Sequence, residues 1–488
     1  MSVKTLALSG AITLLLALSA TAALPQSPPI APDRLETGLQ GQSRSEEATV
    51  LARPYTKGVR VIGHEPILGR DSNVQLTWAD HCAYVASMPP KFLGWAMKPN
   101  NLETTGVAVI DVADPRAPQL TGLLREKGAM YSAETMHAVS VPGRKVLAAG
   151  AYAGGHEGAK PEDAAWLDIY DVSDCAHPRL TAEVKWPENA HTITVSPNGR
   201  RVYGTSIDPF TGKGGIQVFD ISDMAHPRYL GKFGLALPDG SIQPMAVHEI
   251  SLSPDERRIY AGVLSSTAGG LGSVKLMPLR YESLAPDAGG IAIIDNSDIG
   301  FGRPNPKLRL IGTAPGGGWH SVMRARIRGV PYLVGAAELG ACPGAWPRIT
   351  RISDERHPVR VGEFRLAMNR AENCPPQDKA EAASHGLAPR LGTATAHFND
   401  VDSATDTRLG LFNFMWGGLR IVDLRDPARP TEVAYFKPGD ACTGHVRYLP
   451  ETGQIWLTCA ASGLWVLELK PELRRALGLP AISGARRH

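Results

Sequence analysis

The apolar and polar positions of this chain fall into one repeated phrase. Short runs alternate hydrophobic with polar or small residues and end near an acidic side chain: GVAVIDV (106–112), WLDIYDV (166–172), GIQVFDI (215–221), GIAIIDN (290–296), WPRITRI (346–352), GLRIVDL (418–424) and GLWVLEL (463–469). Alternation over so few residues predicts β-strands. Five of the seven lead into a polar turn with a closing Pro, as in DVSDCAHP (171–178), DISDMAHP (220–227) and DLRDPARP (423–430). Asx turns with Pro suit tight reversals. Another strand follows in six copies: PQLTGLL, PRLTAEV, PRYLGKF, PKLRLIG, PVRVGEF and PTEVAYF. The seventh copy lacks one, and GVRVIGH (58–64) supplies a matching segment from the other end of the chain. Seven four-stranded units closed in this way leave no open sheet edge. The expected fold is all-β: a seven-bladed β-propeller over residues 57–470, its last blade closed by an N-terminal strand.

The GLRIVDLRDPARP-type segments resemble those of the LVIVD-repeat proteins, a family of secreted or surface β-propellers. The resemblance runs through nearly all of 58–469. It implies the fold and leaves the activity unassigned.

The ends of the chain read differently. Lys4 precedes an apolar run from Leu6 to Leu18, and Ala20-Thr21-Ala22 offers a small-residue cleavage site. This predicts a signal peptide over 1–22 and an exported, periplasmic or extracellular protein. The apolar run is short for a membrane span. Residues 23–56 read as a flexible leader and 471–488 as a C-terminal tail. Formal net charge is only +3, which gives no electrostatic case for a nucleic-acid partner. Six cysteines fit an oxidising compartment. The order of the blades suggests pairing Cys82 with Cys175, Cys342 with Cys374 and Cys442 with Cys459. Thiolate metal ligation is disfavoured by the absence of a CxxC pair.

The candidate chemistry is histidine. His137, His191, His248, His320, His397 and His445 occupy one position in six repeats, each opening a run that reads as an innermost strand. Blade one breaks the pattern with NVQLTW (73–78), and His81 falls in the next turn. A ring of imidazoles at the channel mouth suggests ligands or proton carriers. Turns such as SPNGR (196–200) and SPDER (253–257) are short and lie on the face away from the ring. The long connections, 87–105, 151–165, 264–289 and 367–395, all share the histidine face. Side chains two residues beyond each His are expected to face the channel, which makes Asn399 and Arg447 candidates for orienting a substrate. Glu134, three residues before His137, is a candidate acid. Glu249 is expected to point away from the channel as an interblade partner. His156 and His385, on the loops, are possible extra ligands. His177, His226 and His357 precede Pro in the turns of the opposite face and are expected at the surface.

The leading expectation is an exported metal-dependent oxidoreductase that binds copper, iron or zinc and acts on a small organic substrate. Iron and copper propellers with inner-strand histidines exist among carotenoid-cleaving oxygenases, selenium-binding proteins and nitrous oxide reductases. That is a fold-level analogy, since no motif of those families is present. Two alternatives stand beside it: a non-catalytic propeller that binds a protein or polysaccharide on its loop face, and a metal-free hydrolase, isomerase or lyase with a His general base. The histidines also have a purely structural use, bonding the backbone or Asp side chains of neighbouring blades.

Overall fold

The computed structural model describes residues 33, 35, 36, 55–71, 73–88, 102–151, 165–188, 190–206, 214–236, 239–243, 245–263, 290–315, 320–336, 346–370, 396–479 and 482. The expected signal peptide, most of the leader, most of the long histidine-face loops, His156, His385, Cys342 and Cys374 lie outside them.

The alternating runs form seven sheets arranged as blades. Blade one consists of Asn73–Ala79, Cys82–Ser87, Val107–Asp111 and Gln119–Leu124, paired antiparallel in chain order. The innermost strands of blades two to seven are Met136–Val141, Ile193–Val195, Val247–Leu252, Ser321–Ile327, Asn399–Val401 and Arg447–Leu449. In blade seven the outer strand is Val59–Glu65, paired with Gly463–Leu469, so the N-terminal segment closes the ring as its sequence predicts. Two blades carry additions. Tyr55–Lys57 pairs outside Thr431–Lys437 of blade six. Leu235–Ala236 and Ile242–Gln243 extend blade four beyond Leu308–Pro315.

Each neighbouring pair of blades has its own apolar core, because every sheet is covered on both faces. Tyr84, Val109, Leu147 and Tyr170 fill the junction of blades one and two. Trp456, Leu464 and Val466 pack on Leu76, Val85 and Ala108 where blade seven meets blade one. Five comparable clusters serve the remaining junctions.

The reversals on the face away from the histidines follow from the Asp pattern. Asp171 accepts a hydrogen bond from Ser173 N, and Asp174 accepts one from Ala176 N. The same pairs recur at Asp220 and Asp223 and at Asp423 and Asp426. His177, His226 and His357 bond Asp174, Asp223 and Asp354 on the surface, as expected of residues before Pro. In the SPNGR turn Gly199 takes φ +70°, a conformation that glycine adopts without strain.

Two of the expected cysteine pairs are disulfides, Cys82–Cys175 and Cys442–Cys459. The first staples blade one to blade two across a sequence separation of 93. Replacing Cys82 and Cys175 together with Ser is expected to cost about 2–5 kcal/mol. A urea denaturation midpoint equal to that of the parent would overturn this. Among the described residues no helix is long and apolar enough to cross a membrane.

Candidate metal centre

Four of the six histidines reach the channel from equivalent backbone positions. The amide of His191 donates to Thr205 O at 2.8 Å, that of His320 to Ala336 O at 3.0 Å and that of His397 to Asn413 O at 2.7 Å. Each bond continues the ladder between a blade's first and second strands, so the repeat itself sets the height of the ring. His248 occupies the same place as the second residue of its strand. All four are buried, between 0% and 5% exposed.

Glu134 completes the group. It follows Ala133, whose φ of +44° is rare for a residue with a Cβ. The turn is tied by Ala133 N to Ser87 O and by Thr135 Oγ1 to His191 O. It carries the carboxylate inward to 2% exposure. Glu134 Oε2 lies 3.5 Å from His191 Nε2 and 3.6 Å from His248 Nε2, and Oε1 lies 3.3 Å from His397 Nε2. His191 Nε2 and His248 Nε2 are 2.9 Å apart. The His320 ring sits between those of His248 and His397, at centroid separations of 3.7 and 4.3 Å. Glu134 forms one donor group with His191 and His248 and another with His320 and His397; within each, the atoms lie within 4.8 Å of one another.

Within each group these spacings suit an ion. Ligand atoms about 2.1 Å from a common centre are about 3.0 Å apart at right angles and about 3.4 Å apart at tetrahedral angles. The protonation states suit it too. Burial, followed by the charges of the neighbouring histidines, holds His248 and His320 well below the ordinary imidazole range. Both are therefore neutral, as ligands must be. His397 Nδ1 is 2.6 Å from Thr443 O, which assigns the proton to Nδ1 and turns Nε2 inward as an acceptor.

The other two ring histidines belong to a second layer. His445 Nε2 is 2.7 Å from Glu249 Oε1, and its Nδ1 is 3.0 Å from Asp400 Oδ2. Burial lowers the pKa of His445, but the two carboxylates outweigh it and hold the ring well above the ordinary range. His137 Nδ1 accepts from Val195 N at 3.1 Å, and burial holds this ring down to about 4. Phe398 lies between the layers, its ring centroid 4.7 Å from His320 and His397 and 4.5 Å from His445.

Several expected positions are corrected. Glu249 points into the channel, because the pairing of Val247–Leu252 shifts register between Val247 and Ile250 and both His248 and Glu249 turn inward. Asn399 does not face the channel. It accepts from Ser321 Oγ and donates to Val334 O, which places both amide atoms between blades five and six. Arg447 stacks on Trp456 and Trp78 at 4.3 and 5.6 Å, and burial lowers its pKa to about 10. The cause is common to both. In blades three, six and seven the strand begins two residues after the His, so strand alternation does not run through the histidine itself. The channel side passes instead to the third residue after it: Thr194, Ser251, Met323 and Asp400 line the lower channel. Asp400 and Phe398 were therefore missed, and counting from the residue after the His would have found both. His81 lies near Cys82 and Cys175, but their sulfurs are spent in the disulfide.

The fold and this cluster define a seven-bladed β-propeller with a candidate histidine–glutamate metal centre on its channel. Residues 413–437 match the LVIVD repeat. No curated protein matches the chain. Among solved structures it is similar to the periplasmic gluconolactonase PpgL of Pseudomonas aeruginosa, at 13% identity and TM-score 0.49, over 80% of this chain and 92% of that one. It is also similar to Kuenenia stuttgartiensis hydrazine synthase, at 12% identity and TM-score 0.48, over 81% and 95%.

Proposed function

We propose that this protein is an exported, metal-dependent oxidoreductase that acts on a small organic substrate at the histidine face of its channel. One observation carries the reading: the buried Glu134 carboxylate is shared by two groups of buried donors at ligand spacing, one with His191 and His248 and one with His320 and His397. His191, His248, His320, His397 and Glu134 would hold the ion. Five nitrogen and oxygen donors exceed the four of a closed zinc site. They suit a six-coordinate ion that keeps a position for substrate, which favours iron or copper over zinc. When bound, such an ion supplies Lewis acidity and one-electron redox capacity. The chain's own part is to present neutral imidazoles, offset the ion's charge with Glu134, and shield the centre from the lower channel with Phe398. The two disulfides agree with export to an oxidising compartment.

Elemental analysis tests the metal. Protein purified from the exported fraction, or reconstituted anaerobically with Fe(II) or with copper, is expected to carry about one ion per chain. No stoichiometric ion in any preparation would overturn the proposal. Glu134→Gln keeps the shape and removes the charge, and is expected to weaken retention against a chelator by about 10- to 100-fold. Export is checked separately by sequencing the mature N-terminus, expected at Ala23.

A further inference from the structure

Beyond Phe398, on the side away from the metal donors, the channel opens into a cavity of about 280 Å³. Four ionisable side chains line it: His137, Glu249, Asp400 and His445. Both nitrogens of His445 face carboxylate oxygens at hydrogen-bond distance, so the ring carries both protons. Burial raises the pKa of Glu249 above its ordinary value, with the His445 ring opposing it; in the ionised form, two carboxylates against one imidazolium leave a net charge of −1. His137 adds none, because its Nδ1 is an acceptor for Val195 N. Arg447 lies behind Trp78, stacked on the indoles, and does not line the cavity.

Asp400 Oδ2 is fully matched, since it also accepts from Val446 N at 2.7 Å. Glu249 is not. It is 5% exposed, and among the described residues its Oε2 has no hydrogen-bond partner. Ser251 Oγ, on the same wall, is in the same state. A buried carboxylate oxygen left unmatched is costly, and a ligand that donates to it recovers that cost. Thr194 Oγ1 donates to Ile250 O and keeps its acceptor capacity.

We propose that this cavity is a binding site for a small primary ammonium compound, separate from the metal centre. A primary ammonium brings one positive charge and three donors. The wall offers one unmatched charge and acceptors at Glu249, Ser251 and Thr194. Trp78 and Met323 provide a face for the cation and its short alkyl chain. A divalent cation is a poorer match, since it needs several oxygen ligands and His445 already occupies one oxygen of each carboxylate. The volume is at the lower end for ligand pockets, which restricts the occupant to a short chain.

The test is calorimetric titration of the full mature protein with methylammonium and 1,4-diaminobutane, with tetramethylammonium and propionate as controls. Each titration is run on metal-loaded and on chelator-stripped protein. This separates the site from the metal reading, which can fail without affecting it. Saturable binding of the primary amines in both forms, with much weaker binding of both controls, is the expected result. Glu249→Gln is expected to weaken it by about 10- to 100-fold. Ser251→Ala is expected to weaken it less, and leaves the Glu249–His445 pair in place should the first variant fold poorly. Absence of saturable amine binding, equal affinity for propionate or tetramethylammonium, or affinity unchanged in both variants would overturn the proposal.

Discussion

Alanine at His191, His248, His320 or His397 is expected to strip the metal, whereas alanine at His137 is not. The six histidines share one repeat position, and the sequence alone makes them equivalent. The structure divides them. Four surround Glu134, while His137 is turned aside with its Nδ1 taken by Val195 N. Loss of one ligand from a five-donor site is expected to lower affinity by at least about 100-fold, above the usual effect of an outer-shell partner. His137→Ala is expected to retain the ion within about twofold. His445→Ala is expected to retain it too, but to unfold more easily, because it leaves Glu249 and Asp400 buried without their shared cation. Retention is also expected to be flat across the range where an exposed histidine titrates, about pH 6–7. His248 and His320 sit well below that range through burial and their neighbours' charge, so no proton has to be displaced from them there. Metal content measured after dialysis against a chelator reads all of this. Equal loss from His137→Ala and His320→Ala would restore the six-membered ring and refute the division.

The contrast shows what the sequence can and cannot specify in a propeller. The blades were legible because each strand is covered on one face or both, so period-two patterning is imposed at every turn of the ring. Closure by residues 58–64 was legible for the same reason: an outer strand was missing at one end and spare at the other. The height of the histidines followed from repeat position. Their direction did not. A single register shift beside Val247 turns Glu249 inward. The late start of the strands at Ile193, Asn399 and Arg447 moves the channel side by one residue and sends Asn399 between blades. Glu134 was legible only as a nearby acid. Its reach depends on the positive φ of Ala133, which no pattern announces.

The stretch read as a flexible leader makes the same point and carries the second large prediction. Asp33 accepts from Gly58 N and pairs with Lys470 Nζ at 2.8 Å. Glu36 reaches Arg420, a fully buried guanidinium in blade six, with oxygens at 2.6 and 3.2 Å. Arg420 also meets Glu432 at 3.3 Å and donates to Gly417 O at 2.7 Å. These partners outweigh the burial that would otherwise lower its pKa, and hold it above the ordinary value. Composition identified the leader as polar, but it could not show that two of its acids meet cations some four hundred residues away. Arg420→Met would leave Glu36 and Glu432 facing each other in a buried site, offset by Lys437, 3.9 Å from Glu36, and by the charge of Lys57 acting on Glu432. The expected cost is about 3–5 kcal/mol. For a domain of this size that lowers Tm by roughly 3–6 °C. Adding Glu36→Gln to Arg420→Met removes one of the stranded charges and is expected to recover part of the loss, which a general packing defect would not allow. Calorimetry on the two variants decides it. A single variant within about 1 kcal/mol of the parent would mean that the pair is worth no more than a surface bridge and that the leader is not pinned there.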